Sequence, residues 1–162
     1  MALLDDKIVS LADAAGWKRP SRDEDGAYRI RLEGDLDVAF FSPDERRCVM
    51  RVVLVSLPEG GAERDELLRA TAAKQAGVCR ERASIVALEA PGQSLLQEDG
   101  TAEKLIVYRM ADLDEAQDVF LFTVRDFLND AAWWKASFKD TPQPRDAATL
   151  FSMPNMFWGG VR

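Results

Sequence analysis

The chain contains no histidine anywhere in its 162 residues. Without an imidazole, Ser-His-Asp and Cys-His forms of nucleophilic catalysis are excluded. The commonest nitrogen ligand for metals is missing too. Cysteine is scarce: Cys48 and Cys79 stand far apart, with no spacing that suits zinc, and read as small buried apolar side chains. No apolar run approaches the ~20 residues of a membrane span. The N-terminus lacks a basic stretch followed by an apolar one, so no signal peptide is expected. No dinucleotide fingerprint, phosphate loop or nucleophile elbow is found. Positive charge is also in short supply: 21 basic against 28 acidic side chains leave a net charge of −7. That balance disfavours wrapping a nucleic-acid backbone, which needs clustered Lys and Arg.

Carboxylates are plentiful, yet the close pairs Asp35/Asp37 and Asp112/Asp114 sit where turns and helix caps need them. Gly60-Gly61 precedes a helix but is followed at once by acids, so it punctuates the chain rather than cradling an anion. The expected character is binding rather than turnover, with no enzyme activity, no cofactor and no metal.

What is present is a clear order of elements. Leu4, Ile8, Leu11 and Ala15 recur at helical spacing, predicting a first helix over residues 2–15. Tyr28, Ile30 and Leu32 alternate with Arg29 and Arg31, predicting a first strand. Leu36–Phe41 and residues 47–55 follow as second and third strands. The third is apolar on both faces, with Val49, Val53 and Val55 opposite Cys48, Met50, Val52 and Leu54. A helix from Glu63 to about Ala76 should stop at Gly77. Strands at Ala83–Leu88 and Leu105–Met110 flank a turn at Asp99-Gly100, and Leu95-Leu96 could resume the fourth strand.

The last helix, capped by Asp112, carries one apolar stripe through Leu113, Ala116, Phe120, Val124, Phe127, Ala131, Trp134 and Phe138. Phe122 and Trp133 fall on roughly the opposite side. They suggest either an oligomer contact or packing beneath the C-terminal tail. Residues 140–162 hold three prolines and many large apolar side chains. This tail is expected to dock as an extended segment, on the partner groove or beside Phe122 and Trp133.

The order α-β-β-β-α-β-β-α, an α+β fold with a mainly antiparallel sheet packed with helices, resembles the class I type III secretion chaperones, the Tir-chaperone or SycE-like family. The segments that carry the likeness are Asp25-Gly26-Ala27-Tyr28-Arg29-Ile30-Arg31-Leu32, Val49–Leu57 and Glu66-Leu67-Leu68. The strongest is the last helix from Asp112 to Phe138, with Phe127-Leu128 and Trp133-Trp134 near its end. The likeness covers residues 1–139. One departure lies in the second helix, where the family's Leu-Leu-x-Ala-Asn is continued here by Arg69-Ala70-Thr71.

The resemblance implies a bacterial cytoplasmic homodimer without nucleotide or metal. It implies binding of the N-terminal region of a secreted effector, which stays soluble and export-competent, and no membrane insertion. Leu4, Ile8, Ile30, Val38, Phe40 and Val53 are the expected partner-binding side chains. A regulatory or scaffold protein of the same fold, titrating a partner, is the alternative reading; a small-ligand-binding protein is a third.

Overall fold

A computed structural model describes residues 3–94, 96 and 100–139. Three helices and five strands run in the order α1 (Leu3–Ala15), β1 (Tyr28–Leu32), β2 (Leu36–Phe41), β3 (Arg47–Ser56), α2 (Gly61–Val78), β4 (Ile85–Glu89), β5 (Lys104–Asp112) and α3 (Gln117–Ser137). The strands form one antiparallel sheet in the order β1-β2-β3-β5-β4. Among the described residues no helix is long and apolar enough to cross a membrane.

The alternation along each strand decides which face receives the helices. Ile30 opposes Val38, and Val38 in turn opposes Val52, which opposes Val107. This row, with Phe40, Met50 and Cys48, faces Leu4, Ile8 and Leu11 of α1 and Phe120, Val124, Phe127 and Trp134 of α3 in one core. Burying such side chains contributes roughly 1.5–3 kcal/mol each. The stripe expected on the last helix is therefore the core stripe: Phe120, Val124, Phe127, Ala131 and Trp134 are all fully buried.

Several boundaries differ from the sequence expectation, each for a local reason. The second helix runs through Gly77, because Val78 packs against the core and its carbonyl accepts the Glu81 and Arg82 amides. Strand β4 begins at Ile85 rather than Ala83, since the Ser84 amide and hydroxyl both donate to Asp130 on α3. Asp112 does not cap α3. It pairs with Arg47 as the last residue of β5, and its carboxylate accepts the Asp114 amide. The helix starts later, after Ala116.

Leu96 is described but belongs to no strand. Leu95, Asp99 and the whole 140–162 tail, for which docking was expected, lie outside the described residues. Cys48 is buried as expected, whereas Cys79 is exposed at the end of α2.

Candidate functional site

The six side chains picked from the sequence do not form one surface. Leu4, Ile8, Val38 and Phe40 are between 0% and 1% exposed and sit in the core between α1, α3 and the sheet. A bound segment cannot reach Leu4, Ile8 or Phe40 without lifting α1 or α3. Ile30 is half-buried against the same core. Only Val53 lies on the opposite face, half-buried on a strand whose register is irregular between Val53 and Val55.

Phe122 and Trp133 also part company. Phe122 is 63% exposed on α3. Trp133, about three turns further along, is approached by two cations of its own chain. The Lys74 ammonium lies 4.3 Å from its ring centre and the Arg82 guanidinium 4.2 Å. Trp133 is thereby engaged by α2 and the turn that leaves it, and it meets Trp134 edge-on. Burial pulls the Lys74 pKa below the ordinary lysine value, and the charge of Arg82 pulls it the same way.

The sheet face away from the helices carries the more distinctive arrangement. Ala39, Phe41 and Val49 point there, and Leu96 from the β4–β5 connection packs onto Ala27, Ala39 and Phe41. Strands β4 and β5 are hairpin neighbours whose last pair is Glu89 opposite Lys104. Two to five residues would suffice to join them, so the longer connection has room to bring Leu96 to the far side of the sheet.

Beside this cluster lies an open groove of about 610 Å3. Ala39 and Val53 form its apolar part, and Arg31, Arg51 and Lys135 stand among its charged walls. The β2–β3 ladder explains the opening. Its last pair is Val38 opposite Val52, so Leu36 and Asp37 pair only with β1. Lys135 of α3 reaches this gap and donates to the Val53 carbonyl at 2.9 Å. Burial lowers the Lys135 pKa, while Asp37 and Asp35 nearby push it back up. Arg31 forms a two-pronged pair with Asp37, at 2.7 and 3.0 Å. That hydrogen bond holds the Asp37 carboxyl below the usual range.

Arg29 is held by Asp23 and Asp25, and Arg51 by Glu89. Arg51 and Lys135 were not singled out from the sequence. Arg51 did leave a signal, as the one charge inside an otherwise apolar strand interior. Lys135 left none, since a lysine near a helix end is ordinary.

Two further surfaces could take a partner chain. Ile85 and Met110, each 49% exposed, are diagonal neighbours on the sheet face away from the helices, and Leu88 on the edge strand β4 is 44% exposed. Among the described residues, the outer side of β1 carries one bridge, between Arg22 and Tyr28, and no further strand.

No family model matches the sequence, and no curated protein matches it. Solved structures do. The chain is similar to one in the crystal structure of the ExsC-ExsE complex, with a TM-score of 0.56 and 19% identity, over 83% of this chain and 95% of that one. It is also similar to the Yersinia pestis type III secretion chaperone SycH in complex with a fragment of YscM2, at TM-score 0.49 and 8% identity, over 81% and 98% of the two chains. A third likeness is to the HopA1-SchA chaperone-effector complex, at TM-score 0.49 and 13% identity, over 82% and 90%. At these identities the likeness concerns the fold: this chain shares the α+β architecture of the chain solved in the ExsC-ExsE complex, and the order of elements read from the sequence agrees with it.

Proposed function

We propose that the chain is a type III secretion chaperone that works by binding. As a homodimer in the bacterial cytoplasm, it would hold the N-terminal region of a secreted effector in an extended, export-competent state. The observation that carries this reading is the fold likeness to a chain solved in the ExsC-ExsE complex, which spans 95% of that chain. Two physical features support it. The margin of β1 offers backbone donors and acceptors to an added strand. The sheet face away from the helices offers apolar side chains and a groove beside it.

The homodimer reading rests on Ile85 and Met110. Exposed apolar side chains side by side on one sheet face mark a surface that another chain covers. A second copy is the proposed cover, with each protomer presenting the same patch to the other.

Affinity purification from the native cell, with mass identification of what stays bound, tests the central claim. A secreted protein whose N-terminal segment resists proteolysis in the complex supports it. Recovery of a regulatory protein alone supports instead a same-fold regulator that titrates a partner. Light scattering of the purified chain tests the dimer. A single species at the 18.1 kDa of one chain would sink that part.

A further inference from the structure

The groove on the outer sheet face runs against the charge of the whole protein. The chain carries −7, yet among the described residues that line this groove Arg29, Arg31, Arg51, Lys104 and Lys135 outnumber Asp35 and Asp37. An acidic protein with a cation-rich groove repels long polyanions at a distance and still attracts a carboxylate locally.

The cations are not equivalent. Arg29 is clasped by Asp23 and Asp25, and Arg51 is 4% exposed and clasped by Glu89. Both are fixed in place. Arg31 and Lys135 have acceptors that a ligand can replace. The Arg31–Asp37 pair leaves 80% and 61% of the two side chains exposed, so solvent screens it and little is lost on exchange. Lys135 donates to a neutral carbonyl, Val53. A carboxylate is a stronger acceptor for an ammonium than a neutral carbonyl is.

We propose that the groove receives an acidic side chain of a bound partner segment. Arg31 and Lys135 turn to its carboxylate, and a neighbouring apolar side chain of the segment rests on Ala39 and Val53. The floor supplies contact area and the walls supply selectivity, so acidic residues spaced along an extended segment are favoured over neutral ones. This inference rests on the reading of the chain as a binder of extended segments, and it names the chemistry that segment carries.

The test uses the full chain labelled with nitrogen-15 and two short blocked peptides, Val-Glu-Val-Glu-Val and Val-Gln-Val-Gln-Val. Amide resonances of Ala39 and Val53 report the groove. The Glu peptide is expected to shift both and to bind about tenfold more tightly than the Gln peptide. That preference should shrink between about 0.02 and about 0.3 M salt. The double variant Arg31→Gln/Lys135→Gln should abolish it. Glutamine at 135 keeps a donor for the Val53 carbonyl, and an unchanged melting temperature confirms that the variant is folded.

Equal binding of the two peptides overturns the acidic preference and leaves the segment-binding reading standing. A preference that survives in the folded double variant, or shifts that avoid Ala39 and Val53, overturns the assigned site. If neither peptide binds while a purified effector does, the groove is not the contact and the chaperone reading is untouched.

Discussion

Arg51 on β3 and Glu89 on β4 form a two-pronged ion pair that crosses the intervening strand β5, with Arg51 Nε 3.0 Å from the carboxylate. Only 4% of the Arg51 side chain and 14% of the Glu89 side chain are exposed. A buried guanidinium is tolerated because its partner is buried with it. The pair ties the edge strand β4 to the middle of the sheet.

Removing Glu89 alone is therefore expected to be costly. Glu89→Ala should lower stability by on the order of 3 kcal/mol in urea unfolding, because it takes away the carboxylate that both prongs of a buried guanidinium face. Arg51→Met/Glu89→Leu, which removes both charges and keeps apolar bulk, should be far milder than Glu89→Ala. An equal loss in the two variants would mean that the pair is not what holds this region.

Asp130 anchors the start of β4. It accepts from Arg82 at 2.9 Å and from the Ser84 hydroxyl at 2.7 Å, and only 4% of the residue is exposed. Asp130→Ala leaves the Ser84 donors and the Arg82 charge without this acceptor. A loss of about 2–4 kcal/mol is expected. Hydrogen exchange should show faster opening of residues 84–89 in the variant.

Two phenylalanines on α3 should respond in opposite ways. Phe127 is fully buried and Phe122 is 63% exposed. Phe127→Ala should cost about 3–5 kcal/mol through lost burial and the cavity left behind. Phe122→Ala should change monomer stability by less than about 0.5 kcal/mol. Thermal unfolding of both variants checks the contrast.

Tyr28 donates its hydroxyl to Asp5 at 2.7 Å, tying β1 to α1. Burial, then this hydrogen bond, pushes its pKa up from 10.0 to about 12. The raised value means that the neutral phenol favours the folded state. This stabilisation is complete below pH about 10 and is lost as pH rises towards about 12. Tyr28→Phe should remove the Tyr28 part of the loss in urea midpoint over that window. Absorbance titration of the phenolates should show the late-ionising tyrosine missing from the variant.

The two thiols should separate under native alkylation. Burial pushes the Cys48 pKa up to about 12, and Cys79 is exposed. Iodoacetamide at neutral pH is expected to label Cys79 alone, with Cys48 reacting only after denaturation. Peptide mass mapping reads the result directly.

Much of the fold was legible in the chain because its signals are local and repeated. Alternation over Tyr28–Leu32 and Leu36–Phe41 located β1 and β2 to the residue. Spacing of three and four from Phe120 to Trp134 marked the buried stripe of α3. Boundaries failed where a distant partner decided them: Arg47 for the end of β5, and Asp130 for the start of β4.

By itself, the sequence determined the class of the protein: five strands, three helices, no histidine chemistry and a net charge of −7. These follow from composition and from periods of two and 3.6 residues, which each segment carries within itself. Tertiary structure alone decided which apolar residues are core and which are surface. Val38 and Val53 look alike on their strands, yet Val38 is 1% exposed beneath the helices and Val53 faces the groove. Alternation shows that a strand has two faces but not which one the helices cover, because that choice depends on packing between segments distant in sequence. The groove has the same origin: Arg31 and Lys135 stand far apart in the chain and come to line one groove where β2 and β3 part beyond Val38 and Val52.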